Sequence, residues 1–198
     1  YLDLRGFTAF AEVAEPEEVM AVLREYHQIT GSLVVEYEGT LEHFTGDGMT
    51  ILFNDPVPIP NPAERAVRMA LAIRERVGRK AEDWVKRGYE LGLGIGIAQG
   101  FATIGAIGFE GRLDYSAIGT VTNLAARLCG EATSNQILIS QKVGVAVESF
   151  VEVDPEQVLR LKGFHRPIIS HRVRGLRAPE GPAAPGGTGP DDSARATS

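Results

Sequence analysis

Apolar residues recur at helical spacing in three stretches of the chain. The first stretch begins at Pro16, a residue suited to the first turn of a helix, and should end before Gly39. Its apolar positions are Val19, Val22, Leu23, Tyr26, Ile29 and Leu33. The same pattern predicts helices over residues 63–85 and 120–130.

Shorter apolar runs predict strands between these helices. Residues 40–45 and 49–53 flank Gly46-Asp47-Gly48 and predict a β-hairpin. Glycine alternates with apolar residues over 91–98, which indicates a strand that another element approaches closely. We expect residues 101–107 to pair back onto that strand. Further strands are predicted over residues 114–117, 136–140, 150–153 and 167–173, the last as an edge strand.

Mixed helices and antiparallel hairpins predict the α+β class, with one sheet and helices largely on one face. The folded domain should cover residues 1–177. Residues 178–198 contain no Val, Ile, Leu, Met or aromatic residue, and this composition predicts a disordered tail or linker. Residues 1–4 have the pattern of a strand's end, so we expect a truncated first strand and a piece of a longer polypeptide.

Composition narrows the functional classes. The net charge of −6 argues against a nucleic-acid partner, which would require a basic face. Cys129 is the single cysteine among the 198 residues, so neither an internal disulfide nor a cysteine-based zinc site is expected. No membrane-spanning run or signal peptide is visible. The sequence therefore predicts an intracellular, cytoplasmic domain.

Two aspartates stand beside glycine turns. Asp3 ends the first predicted strand before a Gly6 turn that opens a helix, and the N–H groups of a helix start bind phosphate. Asp47 lies at the tip of the predicted hairpin. If Asp3 and Asp47 meet, they form a site for two divalent cations, which suits in-line displacement at phosphorus. The alternatives are a helix-capping Asp3 and an Asp47 that serves the turn alone.

A third motif runs from Asp114 to Leu128 and reads DYSAIGTVTNLAARL. Asn123 and Arg127 are four residues apart on one predicted helix and project from the same face. Such a pair suits a sugar and a phosphoryl oxygen, and a solvated polar face is the alternative.

These segments together resemble the catalytic domain of class III nucleotidyl cyclases, the adenylyl and guanylyl cyclases. The matching stretches are LDLRGFT, FTGDGM, DYSAIGTVTNLAARL and LKGF at residues 161–164, and the resemblance covers residues 1–175. It implies a ferredoxin-like fold and a head-to-tail homodimer with active sites at the subunit interface. It also implies a regulatory domain in the parent polypeptide.

The resemblance implies metal and phosphate roles for the first two motifs. Asp3 and Asp47 correspond to the aspartates that hold two divalent cations, Mg²⁺ or Mn²⁺, and the Leu4 carbonyl adds a ligand. The phosphate-binding amides are those of Gly6, Phe7 and Thr8.

It likewise implies that Asn123 orients the ribose and that Arg127 stabilises charge on the α-phosphoryl group, both from the other subunit. Lys162 resembles a lysine that binds the terminal phosphates. The implied reaction converts ATP into 3′,5′-cyclic AMP and pyrophosphate.

The base-reading positions depart from the family pattern. His43 stands where adenylyl cyclases usually have Lys and guanylyl cyclases Glu. Ser116, followed by Ala117, stands at the second position and resembles a mostly adenylyl bacterial subgroup. A histidine can donate to adenine or to guanine. ATP is therefore the expected substrate, with GTP as the alternative.

Other classes remain as alternatives. A silent cyclase-like module that binds nucleotide or only dimerises would keep the fold without turnover. A diguanylate cyclase would need a GGDEF-like hairpin tip, where this chain has Thr45-Gly46-Asp47-Gly48. An RNA-binding ferredoxin-like module would need paired aromatics on its sheet and a basic surface.

Overall fold

The computed structural model describes residues 1–178. The predicted tail begins at Ala178, and residues 179–198 lie outside the described part. The helices are α1 (Phe7–Val13), α2 (Pro16–Glu36), α3 (Pro62–Lys86), α4 (Thr120–Glu131) and α5 (Gln141–Val147). The strands are β1 (Leu2–Arg5), β2 (Thr40–Thr45), β3 (Gly48–Leu52), β4 (Gly92–Ile97), β5 (Thr103–Phe109), β6 (Arg112–Ile118), β7 (Gln136–Ser140), β8 (Val151–Val153), β9 (Gln157–Leu159) and β10 (Ile168–Leu176).

Eight strands form the main sheet, in the order β2-β3-β1-β4-β7-β10-β8, with β9 also paired to β10. The β4–β7 pair is parallel and the other pairs are antiparallel. The segment from β1 through α2, β2, β3 and α3 to β4 has the spatial strand order β2-β3-β1-β4. This arrangement confirms the ferredoxin-like α+β prediction.

The two faces of the sheet carry different helices. Leu2 and Leu4 of β1 join Leu93 and Ile95 of β4 in a core closed by α1, α2, α3 and α5. The glycines of β4 line the opposite face, where α4 lies: a Cβ on Gly96 would collide with the α4 backbone. Helices therefore lie mainly on one face, as predicted, and α4 is the element that approaches β4 closely.

Two pairing predictions were wrong. Strand β5 does not return onto β4. It pairs with β6 in a separate two-stranded sheet, because Glu110 and Gly111 form a short turn with a positive φ at Gly111. We call this β5–β6 hairpin, residues 103–118, the arm. Strand β10 is not an edge strand, since it lies between β7 and β8. Helix α5 and strand β9 were not predicted, because each is too short to show a period.

The other elements lie within a few residues of their predicted bounds, and β2 and β7 match them. None of the helices within residues 1–178 combines the length and the apolar character needed to cross a bilayer.

Candidate active site

The structure brings Asp3 and Asp47 together. Alternation along β1 sends Leu2 and Leu4 into the core and Asp3 to the α4 side of the sheet. Gly46 takes a positive φ of 67° in the β2–β3 turn, and this turn carries Asp47 back over β1. The Asp47 carboxylate accepts a hydrogen bond from the Leu4 N–H at 3.0 Å.

The pKa of Asp47 is shifted by burial and by the neighbouring Asp3. Burial raises the pKa of Asp47 to about 6, and a hydrogen bond and charge repulsion from Asp3 contribute to the same shift. A second group partly offsets the negative charge, because Arg5 Nη1 lies 3.2 Å from Asp3 Oδ2.

This donor set suits a hard divalent cation. Mg²⁺ prefers oxygen ligands and is commonly held by one or two carboxylates together with water and substrate phosphates. Within residues 1–178 no cluster of three or more His, Cys, Asp or Glu side chains suits a metal ion. The Asp3–Asp47 pair thus fits a cation shared with a phosphate ligand better than a closed structural metal site.

Arg5 ties this carboxylate pair to helix α4, a link that the sequence did not reveal. Its Nε donates to the Ala132 carbonyl at 2.7 Å, and its Nη2 donates to the Cys129 carbonyl. These carbonyls end α4, where a cation is favourable. Gly94 leaves room for the guanidinium, since a Cβ there would collide with it.

The N-terminus of α1 follows β1 directly. Gly6 is the N-cap with φ of 80°, and a Cβ at this position would collide with the Glu90 carbonyl. Gly6 and Thr8 are exposed and Phe7 is half-buried. The first N–H groups of a helix have no partner within it. The predicted phosphate-binding amides therefore lie three to five residues along the chain from Asp3.

Asn123 and Arg127 lie on α4, and both are exposed. Neither side chain makes a hydrogen bond or an ion pair with another residue in the described part of the chain. Helix α4, which carries both residues, lies against β1. Neither residue makes a hydrogen bond or an ion pair with Asp3 or Asp47 within one subunit.

Lys162 is exposed in the turn after β9. Its neighbour Leu161 is buried in a second apolar cluster with Leu128 and Ala132 at the end of α4, and with Leu138 of β7. The LKGF motif therefore packs on the same face of the sheet as α4.

The predicted base-reading positions meet at Glu42, a residue that the sequence analysis did not single out. Glu42 lies at a β-bulge between Leu41 and His43, and its side chain is only 3% exposed. Its Oε1 accepts hydrogen bonds from the Ser116 hydroxyl and, at 2.8 Å, from the Ala117 N–H. His43 is half-exposed, with Nδ1 at 3.4 Å from Glu42 Oε2.

No sequence signal marked Glu42, because a bulge shifts the side-chain alternation of a strand by one residue. Strict alternation over residues 40–45 assigns Glu42 and His43 to opposite faces, whereas the structure puts them in contact.

The arm exposes large apolar side chains on both of its faces. Monomeric proteins rarely expose large apolar patches, and such patches mark interaction surfaces. Five apolar side chains of the arm are between 40% and 70% exposed: Ile107, Phe109, Leu113, Tyr115 and Ile118. Phe101, just before the arm, is 95% exposed.

Comparison with known proteins agrees with this geometry. The family model of the adenylate and guanylate cyclase catalytic domain matches residues 1–174. Adenylate cyclase 1 of Rhizobium meliloti (strain 1021) is 32% identical over 181 residues, which cover 89% of this chain and 27% of that protein. An adenylate cyclase of Anabaena cylindrica is 28% identical, and the chain covers 36% of it. The chain thus spans about a quarter to a third of these relatives.

Solved structures extend the comparison to the fold. The adenylyl cyclase CyaB of P. aeruginosa shares 30% identity and a TM-score of 0.84, over 89% of this chain and 92% of that one. The guanylyl cyclase Cya2 shares 32% identity and a TM-score of 0.84, over 90% and 91%. The chain is therefore about equally similar to this adenylyl cyclase and to this guanylyl cyclase. The chain belongs to the family of adenylate and guanylate cyclase catalytic domains.

Proposed function

We propose that this domain cyclises a purine nucleoside triphosphate, with ATP as the preferred substrate and GTP as the alternative. In this reaction the ribose 3′-hydroxyl gives up its proton to solvent and its oxygen bonds to the α-phosphorus. The bond between the α-phosphorus and the oxygen that bridges to the β-phosphorus breaks, and pyrophosphate leaves. The observation that carries the proposal is the meeting of Asp3 and Asp47 beside the N-terminus of α1.

The carboxylates of Asp3 and Asp47, with the Leu4 carbonyl, would hold two divalent cations, Mg²⁺ or Mn²⁺. When bound, such cations neutralise triphosphate charge and acidify the ribose 3′-hydroxyl. The residues of the chain supply positioning. The amides of Gly6, Phe7 and Thr8 would donate to phosphate oxygens.

The other half of each site would come from a second copy of the chain. Asn123 would orient the ribose, Arg127 would stabilise charge on the α-phosphoryl group, and Lys162 would bind the terminal phosphates. Exposure of Asn123 and Arg127, together with the apolar arm, supports a homodimer with composite sites.

A side-by-side assay of ATP and GTP turnover, each with Mg²⁺ and with Mn²⁺, tests the proposal. Asp3→Ala and Asp47→Ala should each retain less than about a tenth of wild-type turnover. Asp83→Asn is the matched control, because Asp83 is an exposed carboxylate on α3, and it should remain fully active.

Turnover of neither nucleotide by a folded dimer would support the silent-module alternative instead. Full activity in either Asp→Ala variant would contradict the two-carboxylate site.

A further inference from the structure

A buried carboxylate controls the hydroxyl at one of the proposed base-reading positions. Glu42 is on β2, at the edge of the main sheet, and Ser116 is on β6 of the arm. Their hydrogen bond, with that from the Ala117 N–H to the same Oε1, joins the arm to the sheet just before α4 begins. The Tyr115 hydroxyl adds a second link by donating a hydrogen bond to the Asp55 carboxylate.

The direction of the Ser116–Glu42 bond follows from chemistry. A carboxylate only accepts hydrogen bonds, and an amide N–H only donates. Glu42 Oε1 already accepts the Ala117 N–H, so the Ser116 hydroxyl is the donor in its contact with that oxygen. A hydroxyl has a single proton to donate. Ser116 Oγ is therefore left with lone pairs alone for any further partner.

We infer that Glu42 is a positioning residue for base selection, which makes Ser116 an acceptor and so favours adenine over guanine. The inference rests on the proposed function. The two purines differ in sign at position 6: adenine carries an amino donor there, and guanine carries a carbonyl acceptor. An oxygen that only accepts can bond the amino group and repels the carbonyl.

Glu42 is separate from the residues that the family resemblance supplies. It precedes His43, the position that departs from the Lys or Glu of known cyclases, and its Oε2 lies 3.4 Å from His43 Nδ1. The Ala117 N–H is committed to Glu42 as well, so this amide offers no donor to a base. The carboxylate thus controls the hydrogen-bonding capacity of Ser116 and Ala117 together.

The test compares variants by the ratio of kcat/KM for ATP to that for GTP. Glu42→Met removes the acceptor and frees the Ser116 proton, so the ratio should fall by about fivefold or more. Glu42→Gln keeps a carbonyl oxygen that can accept both bonds, and the ratio should stay within about twofold of wild type. Glu75→Gln is the control, an exposed carboxylate of α3 paired with Arg79.

Ser116 supplies a second line of evidence that does not depend on how well Glu42→Met folds. Ser116→Ala should lower the ratio and Ser116→Thr should preserve it. In the Ser116→Ala background, Glu42→Met should change the ratio less than it does in wild type, because only the Ala117 N–H is left for it to free.

An unchanged ratio in Ser116→Ala, or equal losses with both nucleotides in a folded Glu42→Met, would overturn the inference. If the wild type binds nucleotide without turnover, the same ratio is taken from the Kd values of ATP and GTP. If wild type then binds ATP more tightly than GTP and Glu42→Met binds both equally, the inference is supported and only the proposed function is refuted. Equal binding of ATP and GTP by wild type would refute the inference.

Discussion

Replacing Arg5 with Ala separates a structural arginine from a proposed functional one. Arg5 donates to two carbonyls at the end of α4 and pairs with Asp3, and its side chain is 24% exposed. Arg127 is exposed on the same helix and makes no ion pair or hydrogen bond within the described residues. Arg5→Ala should therefore lower the stability of the domain, whereas Arg127→Ala should keep that stability and lose turnover.

The expected loss follows from the bonds of Arg5. A hydrogen bond to a charged group contributes about 1.5–3 kcal/mol, and bonds that share one guanidinium are not additive. We expect Arg5→Ala to lower the free energy of unfolding by about 3 kcal/mol, which for a domain of this size lowers Tm by about 6–12 °C. Arg5→Lys should recover only part of this, because an ammonium cannot reproduce the planar fork.

Thermal and urea unfolding of the metal-free protein measure this effect, with cyclase turnover measured in parallel. Arg127→Ala should unfold within about 0.5 kcal/mol of wild type, as surface substitutions do, yet lose turnover. An Arg5→Ala protein as stable as Arg127→Ala would refute the argument that Arg5 holds α4 against β1.

Three further predictions concern the site. Because the folded-state pKa of Asp47 is raised from 3.8 to about 6, its ionisation destabilises the metal-free fold as pH rises through that window. Asp47→Asn should therefore raise the free energy of unfolding in EDTA at neutral pH by about 1–2 kcal/mol, after allowance for solvent screening. Its amide oxygen can still accept the hydrogen bond from the Leu4 N–H. The advantage over wild type should disappear below about pH 4. His43→Lys should raise the ATP/GTP preference and His43→Glu should lower it, and shifts below about twofold in both would exclude His43 from base selection. Specific activity should rise with protein concentration, since each site needs two chains; a constant value in demonstrably monomeric protein would contradict this.

Local patterns predicted most of the fold. Helix α2, the β2–β3 hairpin and α3 carry strong periods and turn signals, and they lie where expected. The pairing of β5 was mispredicted because local patterns do not say which neighbour a strand selects. The glycines of β4 indicated a close approach correctly, but not that α4 was the element involved.

The candidate site was predictable only where residues lie in recognisable motifs. Asp3 and Asp47 could be named as a pair, since a hairpin tip can reach a neighbouring strand. Arg5 and Glu42 could not, because their roles depend on long-range contacts to α4 and to the arm. The bulge at Glu42 in particular leaves no mark on composition or spacing.

Mixing Asp47→Ala with Arg127→Ala tests the central claim most directly, that two chains together build a cyclase site. In a mixed dimer, one site combines the intact Asp3–Asp47 pair of one chain with the intact Asn123 and Arg127 of the other, and the second site carries both lesions. Random pairing makes half of the dimers mixed, each with one good site of two, so about a quarter of wild-type activity should return. A mixture no more active than either variant alone, with mixed dimers confirmed, would contradict the composite site.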